Sequence, residues 1–257
     1  MWLGIETSSL VSSVALMDSD ILLGELTVQA GLTHSEQLVP HIQLLLNQCA
    51  VKKQELDGIV VAIGPGSFTG LRIGMGTAKA MAYALKVPLY GVMTMDGLAE
   101  NFQGTDRLVS VLIDAQKKNV YEASYRWNGS VMERIQEPMV KLATDIIDEL
   151  SHSQTPTVFL VDGVKRVKKA IAAHNPQVNG QALFMLASPM QGIPRAGSLL
   201  WVARGKIEKG QTEDPMTMVP YYIRRSEAEV LWEEKHKDSV EALETQPAVT
   251  VIEAAGK

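Results

Sequence analysis

The sequence is most informative at residues 59–74, which read Ile59-Val60-Val61-Ala62-Ile63-Gly64-Pro65-Gly66-Ser67-Phe68-Thr69-Gly70-Leu71-Arg72-Ile73-Gly74. The apolar run that ends at Ile63 predicts a buried strand. The Gly/Pro-rich residues 64–70 predict a turn, and the apolar spacing that follows predicts a helix to about residue 85. A further strand predicted at residues 87–93 completes a strand–helix–strand unit. Such a unit indicates a parallel part of a sheet with a right-handed crossover.

The residues before this unit predict an antiparallel meander followed by a helix. Strands are expected at residues 2–5, 11–17 and 21–28. Thr33 and Glu36 fit the capping pattern of a helix start, with Thr33 as the N-cap. Apolar residues then recur at helical spacing as far as residue 49. Pro40 lies inside this helix and is expected to kink it.

A second series of elements follows a polar break near residues 103–106. The predicted elements are strands at 108–113, 119–126, 130–136 and 157–161, and helices at 143–150 and 164–173. Residues 174–197 predict irregular structure, and residues 197–209 predict an amphipathic helix. The sequence therefore predicts an α/β protein with an N-terminal lobe at 1–103 and a C-terminal lobe at 104–225. A polar tail, part helical or disordered, is expected at 226–257.

Composition excludes several classes of protein. The 24 Lys and Arg residues against 29 Asp and Glu give a net charge of −5, which is not the positive field of a stand-alone nucleic-acid binder. The single cysteine excludes a disulfide framework and fits a reducing compartment. No apolar run approaches the roughly 20 residues that span a bilayer, and the N-terminus lacks the pattern of a secretory signal. We therefore expect a cytoplasmic protein without membrane contact.

Two segments are candidates for a ligand site. Glu6 stands beside three hydroxyl residues at a hairpin tip, where it could face a phosphate and its hydrated cation; the alternative is a polar surface turn. The glycines at 64–74 precede and enter a helix, where backbone N–H groups can bind an anion. Because Gly70 and Gly74 are four residues apart, they equally permit close packing without any ligand. Asp114 and Asp162 each end a predicted strand. Each could be an acid close to a bound phosphate, or it could belong to a plain turn.

The sequence offers no catalytic residue and no metal site. His34 and His41 are seven residues apart on one helix face, and no third ligand has a suitable spacing. The thiol of Cys49 lies on an apolar helix face, where it is expected to pack rather than react.

The glycine-rich stretch resembles the signature of the bacterial TsaB (YeaZ) family. The residues that carry this resemblance are Gly64, Pro65, Gly66, Ser67, Thr69, Gly70 and Arg72. Shorter matching segments occur in the family's order at residues 5–8, 33–40, 114–116 and 220–224. The resemblance covers about residues 1–225. It implies a fold like that of the actin/Hsp70/sugar-kinase superfamily, with two ribonuclease-H-like lobes of mixed sheets flanked by helices.

The resemblance also implies a function and partners. It implies a non-catalytic assembly subunit for threonylcarbamoylation of adenosine 37 in tRNAs that read codons starting with A. The subunit would form a heterodimer with the transferase subunit TsaD, and the ATPase TsaE would join the pair. The chain would self-associate when TsaD is absent, and tRNA would be held mainly through TsaD. No cofactor is required, although a nucleotide at the partner interface is compatible with the resemblance.

Two groups of residues acquire expected roles from this resemblance. A remnant of a nucleotide site is assigned to Glu6, Thr7, Ser8 and Asp114. Most family members have Asp where Glu6 stands, so the longer side chain disfavours an ordinary cation-assisted site. The partner interface is assigned to His34, Gln37, Leu38, His41, Ile42 and Leu45. The alternative for that helix is burial within its own lobe.

Two other activities stay open from the sequence. One is an active ATP-dependent phosphotransferase of the same superfamily that uses Glu6, Asp114 and Asp162. The other is a peptidase, for which the sequence provides neither metal-ligand spacing nor a nucleophile–base pair.

Overall fold

Two five-stranded sheets of the same topology organise the protein in a computed structural model. The structure describes residues 1–29, 33–115, 119–162, 165–173, 175–178 and 180–223. The first sheet has the strands β1 (Trp2–Glu6), β2 (Ser12–Asp18), β3 (Ile21–Val28), β4 (Gly58–Gly64) and β5 (Leu89–Met93) in the order β3-β2-β1-β4-β5. The pairs β1–β2 and β2–β3 are antiparallel, whereas β1–β4 and β4–β5 are parallel.

The second sheet repeats this arrangement. Its long strands are β6 (Leu108–Asp114), β7 (Asn119–Trp127), β8 (Met132–Leu142) and β9 (Thr157–Asp162). A short hairpin of β10 (Gln177–Val178) and β11 (Gln181–Ala182) precedes the edge strand β12 (Phe184–Leu186), and the sheet order is β12-β9-β6-β7-β8. Both sheets thus place an antiparallel meander beside parallel strands, and the predicted ribonuclease-H-like α/β fold is confirmed.

Helices cover the sheets through apolar stripes. The helices are α1 (His34–Gln48), α2 (Phe68–Leu85), α3 (Thr94–Ala99), α4 (Ala143–His152), α5 (Lys165–Ala173) and α6 (Ala196–Glu208), with 3-10 turns at Lys53–Glu55 and Glu100–Phe102. The helices α1 and α2 pack on one face of the first sheet, and α6 packs on residues of its other face, such as Ala15 and Val60. The helices α4 and α5 cover one face of the second sheet, whereas α3 contacts the other. Among the helices that the structure describes, none has the length and apolar character of a membrane span.

The start of α1 follows its sequence signal. The backbone N–H and the hydroxyl of Thr33 donate to the Glu36 carboxylate at 2.9 and 2.7 Å. These hydrogen bonds lower the pKa of Glu36, and they hold the first turn in the predicted register. The helix runs on through Pro40 to Gln48 as one element.

Three sequence expectations differ from the structure or lie beyond it. Residues 174–197 are not wholly irregular, because β12 pairs with β9 in parallel; a three-residue strand is too short to show periodicity. The strand predicted at 130–136 continues to Leu142, past Pro138, which an edge strand tolerates. The tail at 226–257 lies outside the described residues. The division into lobes at 103 and 225 stays a prediction, although α6 packs on the first sheet.

Neighbouring positions of α1 differ in their expected contribution to stability. Ile42 is 4% exposed in the core of the first lobe, whereas Val39 is 59% exposed. We expect Ile42→Ala to lower the free energy of unfolding by about 2–5 kcal/mol, and Val39→Ala by less than about 0.5 kcal/mol. Urea unfolding of both variants with an unchanged m value measures the difference. Equal losses would contradict this placement of the helix.

Candidate functional site

The turn that follows β1 is buried rather than exposed. Glu6, Thr7 and Ser8 are 0%, 1% and 3% exposed. The Ser8 N–H donates to the Glu6 carboxylate at 2.6 Å, and the Thr7 hydroxyl donates to the carbonyl of Gly70 at 2.9 Å. The Ser67 N–H donates to the Ser8 carbonyl at 2.6 Å. The alternative of a polar surface turn is therefore wrong, because partners on the signature loop and α2 cover it.

Three glycines make this close contact possible. A Cβ atom at Gly66, Gly70 or Gly74 would come within 3.0 Å of atoms of Ser8 or Thr7, nearer than real Cβ atoms approach. At Gly66 and Gly70 the obstacle is a backbone carbonyl, which cannot rotate away as a side chain can. The close packing that the spacing of these glycines permits is therefore confirmed.

The first turn of α2 is capped by its own chain. Ser67 precedes the helix, and its hydroxyl accepts a hydrogen bond from the Gly70 N–H at 3.2 Å. The carbonyl of Ser67 accepts from the Leu71 N–H at 2.9 Å. Of these groups, the Gly70 N–H is one that an anion at a helix N-terminus would bind. The capping and packing contacts together account for the positions of Ser67 and of the glycines in the signature loop.

Both candidate histidines connect α1 to the residues after the turn. His34 Nε2 lies 2.7 Å from the carbonyl of Ser9, and since a carbonyl only accepts, this nitrogen carries the proton. His41 Nδ1 lies 3.3 Å from the hydroxyl of Ser12. Burial lowers the pKa of His41, which favours a neutral ring that tethers the chain. In the part of the chain that the structure describes, no three His, Cys, Asp or Glu side chains are grouped as metal ligands.

The predicted acidic residues occupy equivalent strand ends. Glu6 ends β1, and Asp114 ends the corresponding central strand β6 of the second sheet. Asp162 ends β9, where its neighbour in register is Ile113 of β6. Glu6 is buried, whereas Asp114 is exposed. The structure thus brings Glu6, Thr7 and Ser8 together with the signature loop, while the two aspartates belong to the other sheet.

The structure corrects the surface predicted on α1. Leu38, Ile42 and Leu45 are 1–5% exposed and belong to the core of the first lobe. Gln37 is also buried, and His34 and His41 are half-buried. The stripe expected to face a partner therefore packs on the chain's own sheet. The apolar side chains that α1 leaves exposed are Val39 and Leu44.

A contact that spacing alone could not predict joins the signature loop to the end of the described chain. The Arg72 guanidinium lies 3.9 Å from the centre of the Phe68 ring, and its Nε donates to the Tyr222 hydroxyl at 3.2 Å. The rings of Phe68 and Tyr222 lie 5.2 Å apart. We call Phe68, Arg72 and Tyr222 the Arg72 platform. Both segments carried the family resemblance, but 150 residues separate Arg72 from Tyr222.

The glycine contacts predict opposite effects for two substitutions in α2. Gly70→Ala should force the turn away from the helix and lower stability by about 1–3 kcal/mol through overpacking. Gly76→Ala is the matched control, because nothing lies within 4 Å of its Cβ position, and it should raise stability by up to about 1 kcal/mol. Thermal unfolding of both variants measures whether each substitution lowers or raises stability. A neutral Gly70→Ala would show that the turn is not held by this contact.

Comparison with known proteins assigns this chain to a family. The chain matches the family model "TsaD: tRNA N6-adenosine threonylcarbamoyltransferase" over residues 28–232. It is 32% identical to the tRNA threonylcarbamoyladenosine biosynthesis protein TsaB of Bacillus subtilis, over 91% of this chain and 99% of that protein. It is 29% identical to the TsaB protein of Escherichia coli K12, over 54% and 63% of the two chains.

A solved structure agrees with these sequence relatives. It is a Pseudomonas aeruginosa protein described as similar to the peptidase YeaZ, with a TM-score of 0.72 and 25% identity over 87% of this chain and 99% of that one. The TsaB relatives, the family model and the shared fold agree with one another. The chain belongs to the TsaB (YeaZ) family, within the wider family that the TsaD model describes.

Proposed function

We propose that the chain is a non-catalytic subunit in the biosynthesis of threonylcarbamoyladenosine in tRNA. It forms a heterodimer with the transferase subunit TsaD, and the ATPase TsaE binds the pair. The modified base is adenosine 37 of tRNAs that read codons starting with A, and the complex works in the cytoplasm. The names of the TsaB relatives support the pathway, and the closed turn after β1 supports the non-catalytic role.

That closed turn is the observation that carries the proposal. A general base must come within hydrogen-bond reach of its substrate, directly or through one water. Glu6 is fully buried, and the signature loop covers the adjoining Thr7 and Ser8. The carboxylate accepts the Ser8 N–H, so it stabilises the turn. The proposal therefore requires no cofactor held by this chain alone, and any nucleotide would bind where TsaD completes the site.

The phosphotransferase alternative gains no support from these residues. It needs Glu6 to face a nucleotide and its cation, but packing of α2 on the turn leaves the carboxylate enclosed. No observation favours the peptidase either.

The proposed contact with TsaD is the exposed side of α1. Leu10, Val39 and Leu44 are 77%, 59% and 48% exposed. The hydrogen bonds of His34 to Ser9 and of His41 to Ser12 hold the segment with Leu10 beside the helix. Apolar side chains that reach solvent on or beside one helix are available to the apolar core of a protein interface. We call these three residues the α1 outer face. Self-association of the chain without TsaD would use the same face.

Charged substitutions on the α1 outer face should break the heterodimer without unfolding the chain. We expect the double variant Val39→Glu/Leu44→Glu to weaken TsaD binding at least about 30-fold, because two buried interface contacts become desolvated charges. Val131→Glu is the matched control, since Val131 is 54% exposed in the second sheet's β7–β8 turn. Size-exclusion chromatography with TsaD and circular dichroism measure binding and folding. Undiminished co-elution of the double variant would refute this interface.

A reconstituted modification assay tests the proposed role itself. Threonylcarbamoyladenosine formation from threonylcarbamoyl-adenylate, tRNA, TsaD and TsaE should depend on adding this chain. The isolated chain should hydrolyse no ATP and transfer no phosphoryl group. Turnover by the chain alone, or full modification without it, would contradict the proposal.

A further inference from the structure

The Arg72 platform combines a cation with two aromatic rings on the protein surface. Phe68 and Tyr222 are 38% and 41% exposed, and the Arg72 side chain is exposed as well. The guanidinium lies over the Phe68 ring, and Nε is held by the Tyr222 hydroxyl. The three side chains therefore support one another in a single arrangement, although all of them reach solvent.

The fold holds this arrangement in place from behind. The Tyr221 N–H donates to the carbonyl of Ile63 at 2.8 Å, which attaches the segment before Tyr222 to the end of β4. Lys79 Nζ donates to the carbonyl of Met218 at 2.9 Å, and the Met218 side chain is buried in the core of the first lobe. Tyr222 is thus presented from an anchored segment rather than from a free end. Such preorganisation lowers the entropy cost of binding a ligand.

Within the residues that the structure describes, most of the hydrogen-bonding capacity of Arg72 remains available. A guanidinium has five N–H donors, and one of them bonds to Tyr222. Among residues 1–29, 33–115 and the other described segments, no carboxylate forms an ion pair with Arg72. The Nη donors have the planar geometry that suits a phosphate. A half-exposed tyrosine ring beside them offers a flat surface on which a base can stack.

The geometry points to a contact site for single-stranded RNA on the Arg72 platform. In this site a base stacks on the exposed ring of Tyr222, and the Nη groups of Arg72 donate to a neighbouring phosphate. This inference rests on the proposed function, which places an anticodon loop next to the complex. Such loops offer unstacked bases that proteins bind by stacking on aromatic and arginine side chains.

The chemistry favours RNA over an acidic peptide at this position. A peptide carboxylate would use the arginine, but it would leave the adjacent rings without a flat partner. A nucleotide satisfies both the cation and the rings. The chain's net charge of −5 opposes RNA binding elsewhere on its surface, so the platform acts as a local supplement to the tRNA contacts of TsaD.

The test uses the heterodimer with TsaD and a fluorescein-labelled, single-stranded adenosine oligonucleotide as the probe. Fluorescence anisotropy at several salt concentrations gives the affinity and its salt dependence. Tyr222→Ala should weaken binding about tenfold, since it removes the stacking surface. Arg72→Gln should reduce the slope of log affinity against log salt by about 0.7, the loss of one phosphate contact on a single strand. Tyr222→Phe keeps the ring and should bind almost as the parent does.

The matched control is Tyr83→Ala. Tyr83 lies on the same helix and is 71% exposed, but it has no part in the platform, so its removal should leave RNA affinity unchanged. Unchanged affinity and salt slope in both Tyr222→Ala and Arg72→Gln would overturn the inference. An equal loss in Tyr83→Ala would also overturn it.

Size-exclusion chromatography before RNA is added separates this inference from the proposed function. Failure of the parent chain to form the heterodimer would refute the proposed function. An intact parent heterodimer that Tyr222→Ala and Arg72→Gln dissociate would mean that the platform contacts protein, which overturns the RNA assignment alone. Circular dichroism identifies a variant that fails to fold. If Tyr222→Ala fails to fold, Arg72→Gln alone tests the RNA assignment, because the exposed Arg72 side chain lies outside the core.

Discussion

The first lobe depends on the contact between the turn after β1 and the start of α2. Backbone atoms of Thr7 and Ser8 lie where side chains at Gly66 and Gly70 would have to be. Hydrogen bonds across this contact satisfy the Ser67 N–H and the buried Thr7 hydroxyl. Each such bond contributes about 1 kcal/mol net, and losing a partner in a buried place costs more. The contact also encloses Glu6, so the packing that stabilises the lobe removes its best candidate for acid–base chemistry.

The same packing sets the positions of the other surfaces. The signature loop leads directly into the turn of α2 that carries Phe68 and Arg72, and its strand β4 receives the hydrogen bond from Tyr221. On the other side, Ser9 and Ser12 receive the two histidines of α1. The α1 outer face and the Arg72 platform are therefore both attached to the packed turn and signature loop. This arrangement is consistent with the proposed role of a non-catalytic subunit.

Much of the fold was predictable because its elements have strong local signals. Residues 59–74 combine a buried strand, a glycine-rich turn and a helix, and the structure has all three. The edge strand β12 was missed because three residues carry no period, and only Phe184 of them is buried. The glycine spacing admitted either an anion or close packing, and only the position of Thr7 and Ser8 shows the close packing.

The candidate site was less predictable than the fold. The periodic stripe of Leu38, Ile42 and Leu45 marks a buried face of α1, but periodicity does not say whether a sheet of the same chain or a partner covers it. The contact of Arg72 with Tyr222 depends on the path of the chain through a whole second sheet. No local pattern encodes such a contact, so it follows only from the three-dimensional arrangement.

The return of α6 to the first sheet has a consequence for synthesis on the ribosome. The second sheet draws its strands from one continuous segment, from Leu108 to Leu186. The first sheet has an apolar face with Ala15 and Val60 that stays uncovered until Leu199 and Leu200 of α6 have left the exit tunnel. The half of the chain that is translated first is therefore the half completed last. Until then a nascent chain exposes this apolar surface, to which chaperones bind.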